Sequence, residues 1–258
     1  MKIGFLGAGT ISDGVVRGLI KSKAAISSII MLSKGHDFAD SLKKDFSIVK
    51  ITDNAQQVVD GADWIFVAVP GRFCEEVLKP LHFKPHQKLI VFVPTVSKAE
   101  VEEWTKHAVP VVRMLPLPFM AEHLTMTPIY PADKELAALL DKAGGHIEAK
   151  SEKDFNIFMA GASFMGVYYR FCAVLNDWSV KEGLDGEQSM AYLTHVFAAL
   201  ADKAKEQRGG KYAGFAELER EYSTKGGTNE FIAMEFGKNG GQAGLLKAVQ
   251  DGFKQMNK

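Results

Sequence analysis

From residue 1 to about residue 150, short runs that are apolar at nearly every position alternate with longer stretches whose apolar residues recur at helical spacing. The runs are KIGFL, SSIIML, IVKI, WIFVAV, LIVFV and VVRML, rich in β-branched residues. Strands apolar on both faces are what a parallel sheet covered by helices requires. Between the first two, TISDGVVRGLIKSK sets Ile11, Val15, Val16, Leu19 and Ile20 along one helical face. This βαβαβ order predicts a doubly wound, mostly parallel α/β sheet with right-handed crossovers and a ligand crevice at the carboxyl ends of its strands. Two later runs, LTMTPIY and HIEA, flank the helical DKELAALLDKAG and are expected to extend the sheet.

After Lys150 the strand pattern stops. Helices are predicted over 152–182, 185–207, 213–222, 229–238 and 241–256, with Gly183, RGG at 208–210 and NGG at 239–241 as breaks. The expected organisation is an α/β domain over 1–151 followed by an all-α domain over 152–258. Residues 155–178 are apolar enough to raise a membrane span, but Asn156, Arg170 and the Asn176/Asp177 pair interrupt it. A helix apolar nearly all round belongs more often to a large core or an interface.

Charge narrows the choice of partner. Thirty-one basic residues balance thirty-one acidic ones over 258 residues, without blocks of one sign, so no nucleic-acid or membrane-surface field is expected. A small molecule is the expected partner. The two cysteines, Cys74 and Cys172, form neither a disulfide framework nor a zinc cluster, which fits a reducing compartment. The opening MKIGFLGAG lacks the apolar stretch of a signal peptide, and a cytoplasmic location is expected. His82 and His86 lie four apart, as helical metal ligands would, but Pro85 breaks the helix and no third ligand is near in sequence, so no metal is expected.

The first motif that carries chemistry is GFLGAGTIS. Gly7, Gly9 and Ser12 make G-x-G-x-x-small directly after a strand and before a helix. The first glycine permits the tight turn, the second lets a pyrophosphate approach the backbone, and the small third residue lets helix and strand pack closely. The helix start, with Thr10 and Ile11, then offers free N–H groups and a partial positive charge to the phosphates. A tight turn without ligand is the alternative; in this βα context dinucleotide binding is preferred. The second strand ends at Ser33 and Lys34, with no acid before Asp37. A hydroxyl and an ammonium there suit the 2′-phosphate of NADPH better than the ribose of NADH, unless they form only a polar turn. Val69 and Pro70 end the fourth strand, the edge over which the nicotinamide half is expected to lie.

A second glycine pair stands in STKGGTNEF, residues 223–231. It can cradle an anion at the start of the next helix, or merely separate two helices with Thr228 or Asn229 as cap.

Taken together, MKIGFLGAGTIS, VVRMLPLPF, the helical second half and STKGGTNEF resemble the pyrroline-5-carboxylate reductase family over nearly the whole chain. The resemblance implies an N-terminal Rossmann domain and a helical C-terminal domain through which subunits form a homodimer. It implies hydride transfer from NAD(P)H to the C=N carbon of pyrroline-5-carboxylate, giving proline. The implied substrate clamp is Gly226 and Gly227, with Thr228 and Asn229 as side-chain donors to a carboxylate and Ser163 as a neighbour of substrate or nicotinamide; Lys225, adjoining the glycine pair, is expected to add charge to the same carboxylate site unless it is merely solvated. Leu117 stands where the family has an amide, Lys225 where it has proline, and Asn229 where it has a second threonine. Those departures leave open another small imine or carbonyl substrate, or a dinucleotide-binding regulator without turnover. The aromatic cluster Phe158, Phe164, Tyr168, Tyr169 and Phe171 is expected to pack an interface.

Overall fold

A computed structural model describes residues 1–33, 37–206 and 214–256. The six apolar runs form β1 (Lys2–Leu6), β2 (Ser28–Leu32), β3 (Val49–Thr52), β4 (Trp64–Val67), β5 (Lys88–Val91) and β6 (Val111–Met114). The later pair forms β7 (Thr127–Tyr130) and β8 (His146–Glu148). They join one eight-stranded sheet in the order β3-β2-β1-β4-β5-β6-β7-β8. Pairing is parallel from β3 through β6; β7 runs antiparallel to β6, and β8 parallel to β7.

The crossovers carry α1 (Thr10–Lys21), α2 (Asp37–Asp45), α3 (Ala55–Asp60), α4 (Cys74–Leu78) and α5 (Lys98–Trp104), and α6 (Lys134–Leu140) joins β7 to β8. Because side chains alternate across a strand, each strand feeds two cores. Ile3, Phe5, Trp64, Phe66 and Ile90 face Val15, Val16 and Leu19 of α1 and Leu136 and Leu140 of α6. Leu6, Ile65, Val67, Leu89 and Val91 face Val58 and Val59 of α3, Leu78 of α4 and Val101 of α5. Phe5 stacks on Phe66 with ring centroids 4.9 Å apart, and Phe66 tilts against Phe92 at 5.4 Å. This aromatic line lies across the strands whose carboxyl ends bear the first glycine motif.

The helical half contains α7 (Glu152–Ala162), α8 (Met165–Lys181), α9 (Gly186–Glu206), α10 (Phe215–Tyr222), α11 (Thr228–Lys238) and α12 (Gly241–Met256). The helix expected over 152–182 is therefore two. At Ser163 and Phe164 the chain changes to the tighter i→i+3 pattern, Ser163 N–H to the Ala160 carbonyl and Phe164 N–H to the Gly161 carbonyl. Gly161 and Ser163 are poor helix formers, and the apolar periodicity on either side masks that break. The break expected at 208–210 lies outside the described residues.

By proximity the chain divides into Met1–Met159, with Met256, and Ala160–Gln255. The first turns of α7 sit with the sheet: Phe155 and Met159 are buried, and Glu152 pairs with Arg113 of β6. Within the second unit, no residue of α8, α10, α11 or α12 is buried. Trp178 and Ile232 are each 60% exposed, alongside Tyr169, Phe231 and Leu246. Single exposed apolar residues are ordinary, but here they are dense across several helices of the unit.

Candidate functional site

In the α/β unit the sheet order reverses between β1 and β4, and a crevice at the carboxyl ends of those strands is the ligand position of a doubly wound fold. Gly7 follows β1 with φ +120°, a conformation that side chains strain to adopt. A Cβ there would stand 2.7 Å from the Ala68 carbonyl oxygen and 3.0 Å from the Val69 nitrogen. Gly7 thus lets the β1 and β4 loops touch, which places Gly7 beside Val69 and brings Pro70 to the same edge.

Gly9 differs in kind. It caps the N-terminus of α1 in an extended conformation without a side-chain cap, and a Cβ built on it meets nothing within 4 Å. The first intrahelical bond runs from Asp13 N–H to the Gly9 carbonyl, so the N–H groups of Thr10, Ile11 and Ser12 precede the helical ladder. Ser12 is buried and its hydroxyl donates to the Gly7 carbonyl at 3.1 Å, which ties the helix start to the turn. Asp13 in the first turn would repel a phosphate, but Arg17 pairs with it at 3.0 Å and with Asp45 at 2.9 Å. Open space above Gly9 and free N–H groups suit a pyrophosphate, and Arg17, shared between Asp13 and Asp45, offsets part of the acid's repulsion.

Ser33 follows β2, is buried, and donates its backbone N–H to the Thr52 carbonyl. Since Leu6 and Leu32 are partners in register, Ser33 lies next to Gly7 along the carboxyl edge. Lys34 lies outside the described residues. The β5 loop completes the edge: a Cβ on Gly71 would run into the Thr95 hydroxyl and stand 3.2 Å from Val93 Cγ1, so Pro70–Gly71 rests on residues 93–95.

The second glycine pair is built in the helical unit. Gly226 takes φ +76°, and Gly227 is the N-cap of α11, which starts at Thr228, one residue before the expected Asn229. Neither Thr228 nor Asn229 caps the helix. The Asn229 amide donates to the Tyr222 carbonyl at 2.9 Å and fastens α11 to the end of α10. The N–H groups of the two glycines themselves are engaged within the loop. Gly227 donates to the Thr224 carbonyl at 2.8 Å and Gly226 to the Glu230 carboxylate at 2.7 Å. The N–H groups of Thr228, Asn229 and Glu230, in the first helical turn, precede the ladder that begins with Phe231 N–H to the Gly227 carbonyl. Lys225 is exposed beside them.

Asn229 also lines an apolar groove of about 1000 Å³ with Phe164, Tyr168 and Phe171 of the α8 region, Ile232 and Phe236 of α11, and Leu245 of α12. Ser163 is exposed at the α7–α8 break, next in sequence to groove residue Phe164. The structure thus gathers Gly7, Gly9, Thr10, Ile11, Ser33, Val69 and Pro70 at one sheet edge. Lys225 to Asn229 form one helix-start loop in the other unit.

Two further residues escaped the sequence reading. Glu230 occupies the glycine loop, and its signal was an acid at the third position of a helix, where reach back to a preceding N–H is usual. Arg113 is a charge inside the otherwise apolar VVRML. Buried with 3% of its side chain exposed, it pairs with Glu152 at 2.9 Å. Burial pulls its pKa down, and the Glu152 carboxylate opposes that pull. Among the described residues no group of His, Cys, Asp and Glu is arranged to hold a metal ion.

Comparison with known proteins agrees with the fold. Residues 2–93 match the family described as "NADP oxidoreductase coenzyme F420-dependent". Pyrroline-5-carboxylate reductase 3 of Danio rerio is 27% identical over 97% of this chain and 88% of its own length. The 1-pyrroline-5-carboxylate reductase of Streptococcus pyogenes superposes with a TM-score of 0.83 at 22% identity, covering 99% of this chain and 98% of that one. The Plasmodium falciparum pyrroline carboxylate reductase with NADP bound gives 0.81 at 18% identity over 99% and 97%. The resemblance to the pyrroline-5-carboxylate reductase family holds over nearly the entire chain.

Proposed function

We propose that this chain is an NADPH-dependent reductase of a cyclic imine, converting pyrroline-5-carboxylate to proline. The observation that carries the reading is the crevice between β1 and β4: a left-handed Gly7 turn, vacant space above Gly9 and an uncapped α1 start, in a chain similar to pyrroline-5-carboxylate reductases end to end. Residues 1–151 act as the dinucleotide-binding domain and 152–258 as the substrate and dimerisation domain.

When bound, NADPH supplies the hydride that reduces the imine carbon. The chain's residues do the rest. The Thr10, Ile11 and Ser12 N–H groups hold the pyrophosphate, Ser33 and Lys34 take the 2′-phosphate, and Val69 and Pro70 support the nicotinamide side. The N–H groups of Thr228 and Asn229 bind the substrate carboxylate at the loop that Gly226 and Gly227 shape, with Lys225 adding charge and Ser163 near the reacting end. An imine protonated in solution brings its own proton, so no strong side-chain acid is required. Overall, imine, NADPH and one proton give amine and NADP⁺.

The exposed apolar groove of the helical half supports a homodimer, because a second copy would remove those side chains from water. Free Cys74 and Cys172 fit a cytoplasmic enzyme. A second reading has one observation in its favour: Glu230 already sits on the Gly226 N–H, which favours imines that lack a carboxylate. The test is NADPH consumption with pyrroline-5-carboxylate, then with a panel of cyclic imines and small carbonyl compounds. Turnover greatest on pyrroline-5-carboxylate is expected. Turnover confined to uncharged imines would favour the second reading, and tight NADPH binding without turnover on any of them would refute both in favour of a regulator.

A further inference from the structure

We propose that Arg113 is a positioning residue for hydride transfer, holding the loop between β5 and α5 on which the nicotinamide edge of the crevice rests. The inference depends on the reductase reading for the word hydride. Its structural content does not.

The Arg113 guanidinium joins separate pieces of chain. Its Nη2 donates to the Pro94 carbonyl at 3.2 Å, and its Nη1 donates to Glu152 Oε1 at 2.9 Å and Asn156 Oδ1 at 3.0 Å. The Phe155 ring lies under it, with Cζ 4.5 Å from the centroid. Glu152 Oε1 also accepts the Lys98 backbone N–H at 2.9 Å. The pair therefore grips the loop at both ends, at Pro94 just after β5 and at Lys98 where α5 begins. Thr95 between those points, and Val93 just before them, meet Gly71, which follows Pro70 directly. The path from Arg113 to the crevice is short: Pro94, Thr95, Gly71, Pro70.

Stability is a poor explanation for this arginine. A buried ion pair roughly cancels its own desolvation, and apolar replacements of similar volume are often neutral or better. Here one donor, Nε, is buried with no acceptor, a further cost. What the planar fork provides is geometry, several bonds in fixed directions that a point charge cannot reproduce. Misplacement by about 1 Å can cost on the order of a hundredfold in rate, so a loop that sets the nicotinamide wall needs such a brace.

The experiment compares wild type with Arg113→Lys, Arg113→Met and Glu152→Gln as full-length proteins. Binding-competent sites are counted by NADPH fluorescence titration, and kcat is expressed per such site. For Arg113→Lys the expected result is an NADPH Kd within about threefold of wild type, because Gly9 and α1 still hold the pyrophosphate, with kcat per site down about ten- to a hundredfold. Glu152→Gln, whose amide oxygen can still accept from Arg113 and Lys98, should lose less kcat per site than Arg113→Met. A lower melting temperature with unchanged kcat per site would show a purely structural residue and overturn the proposal.

If Arg113→Met does not fold, Arg113→Lys and Glu152→Gln carry the comparison. Should wild type bind NADPH yet reduce no imine, the reductase reading fails by itself. The brace is then read from the fluorescence anisotropy of bound NADPH. Greater nicotinamide mobility in Arg113→Lys supports it, and identical anisotropy overturns it.

Discussion

Gly7 and Gly9 sit two residues apart in one motif, yet their alanine variants should fail in different ways. At Gly7 the backbone has φ +120°, and the new Cβ would meet backbone atoms of Ala68 and Val69 at 2.7–3.0 Å. Strain of this kind costs about 1–3 kcal/mol, and forcing a methyl into packed backbone costs about 1–3 kcal/mol more. Against a total stability of about 5–15 kcal/mol, Gly7→Ala should lose a large share. At Gly9 the backbone is ordinary and nothing lies within 4 Å, so only the weaker capping of alanine counts, about 1 kcal/mol or less. The Gly9 methyl instead projects into the space given to the pyrophosphate. An NADPH Kd at least about tenfold higher is expected, equivalent to about 1.4 kcal/mol. Urea unfolding followed through buried Trp64 measures the first quantity, and NADPH titration the second. NADPH at a hundred times the wild-type Kd should stabilise wild type by about 2.7 kcal/mol, and Gly9→Ala much less. If Gly9→Ala binds NADPH as wild type does, the pyrophosphate does not pass over that residue and the cofactor reading is refuted.

Three further outcomes follow from other parts of the structure. Glu230→Gln should weaken the hold on the Gly226 N–H and lower the KM for pyrroline-5-carboxylate severalfold, whereas Lys225→Ala should raise it; steady-state kinetics with an uncharged cyclic imine, whose KM should not move, provides the control. Gly18→Ala removes a helix-interior glycine, a gain of about 1 kcal/mol, but its Cβ would drive into the Met120 carbonyl, a cost of about 3 kcal/mol. The net loss of about 2 kcal/mol should appear as a melting temperature lower by roughly 4–8 °C, with NADPH affinity unchanged. Burial raises the Cys74 thiol from 9.0 to about 11, with Glu100 adding to the shift. The folded state therefore holds that proton more tightly than the unfolded chain, and stability should decline as pH rises from about 9 towards about 11. Urea midpoints across that range should fall less steeply in Cys74→Ala than in wild type.

Much of the α/β half could be read along the chain because its determinants are local. The doubly apolar runs, the helical spacing of Val15, Val16 and Leu19, and the order of elements leave few sheets to choose among. All eight strands formed where the pattern put them. The break in the long apolar helix was missed because Gly161 and Ser163 weaken a helix by amounts smaller than the packing that decides the outcome. The candidate site divides in the same way. Gly7 and Gly9 were visible because their roles are set by backbone turns within a few residues. Glu230 was hidden because a carboxylate four residues from a glycine declares no partner until the loop has closed.

By itself the sequence determined the strands, the order of sheet and helices, the glycine turn after β1 and the lack of an acid at the end of β2, all properties of neighbours in the chain. Only the tertiary structure decided that Gly7 must be bare because Ala68 arrives beside it, and that Gly9 is open because nothing does. It alone decided that Arg113 reaches Pro94 and Glu152 across distant segments. Periodicity reports which face of an element is apolar. What meets that face, and at what distance, depends on the closing of loops whose ends lie far apart in sequence, and no local pattern carries that information.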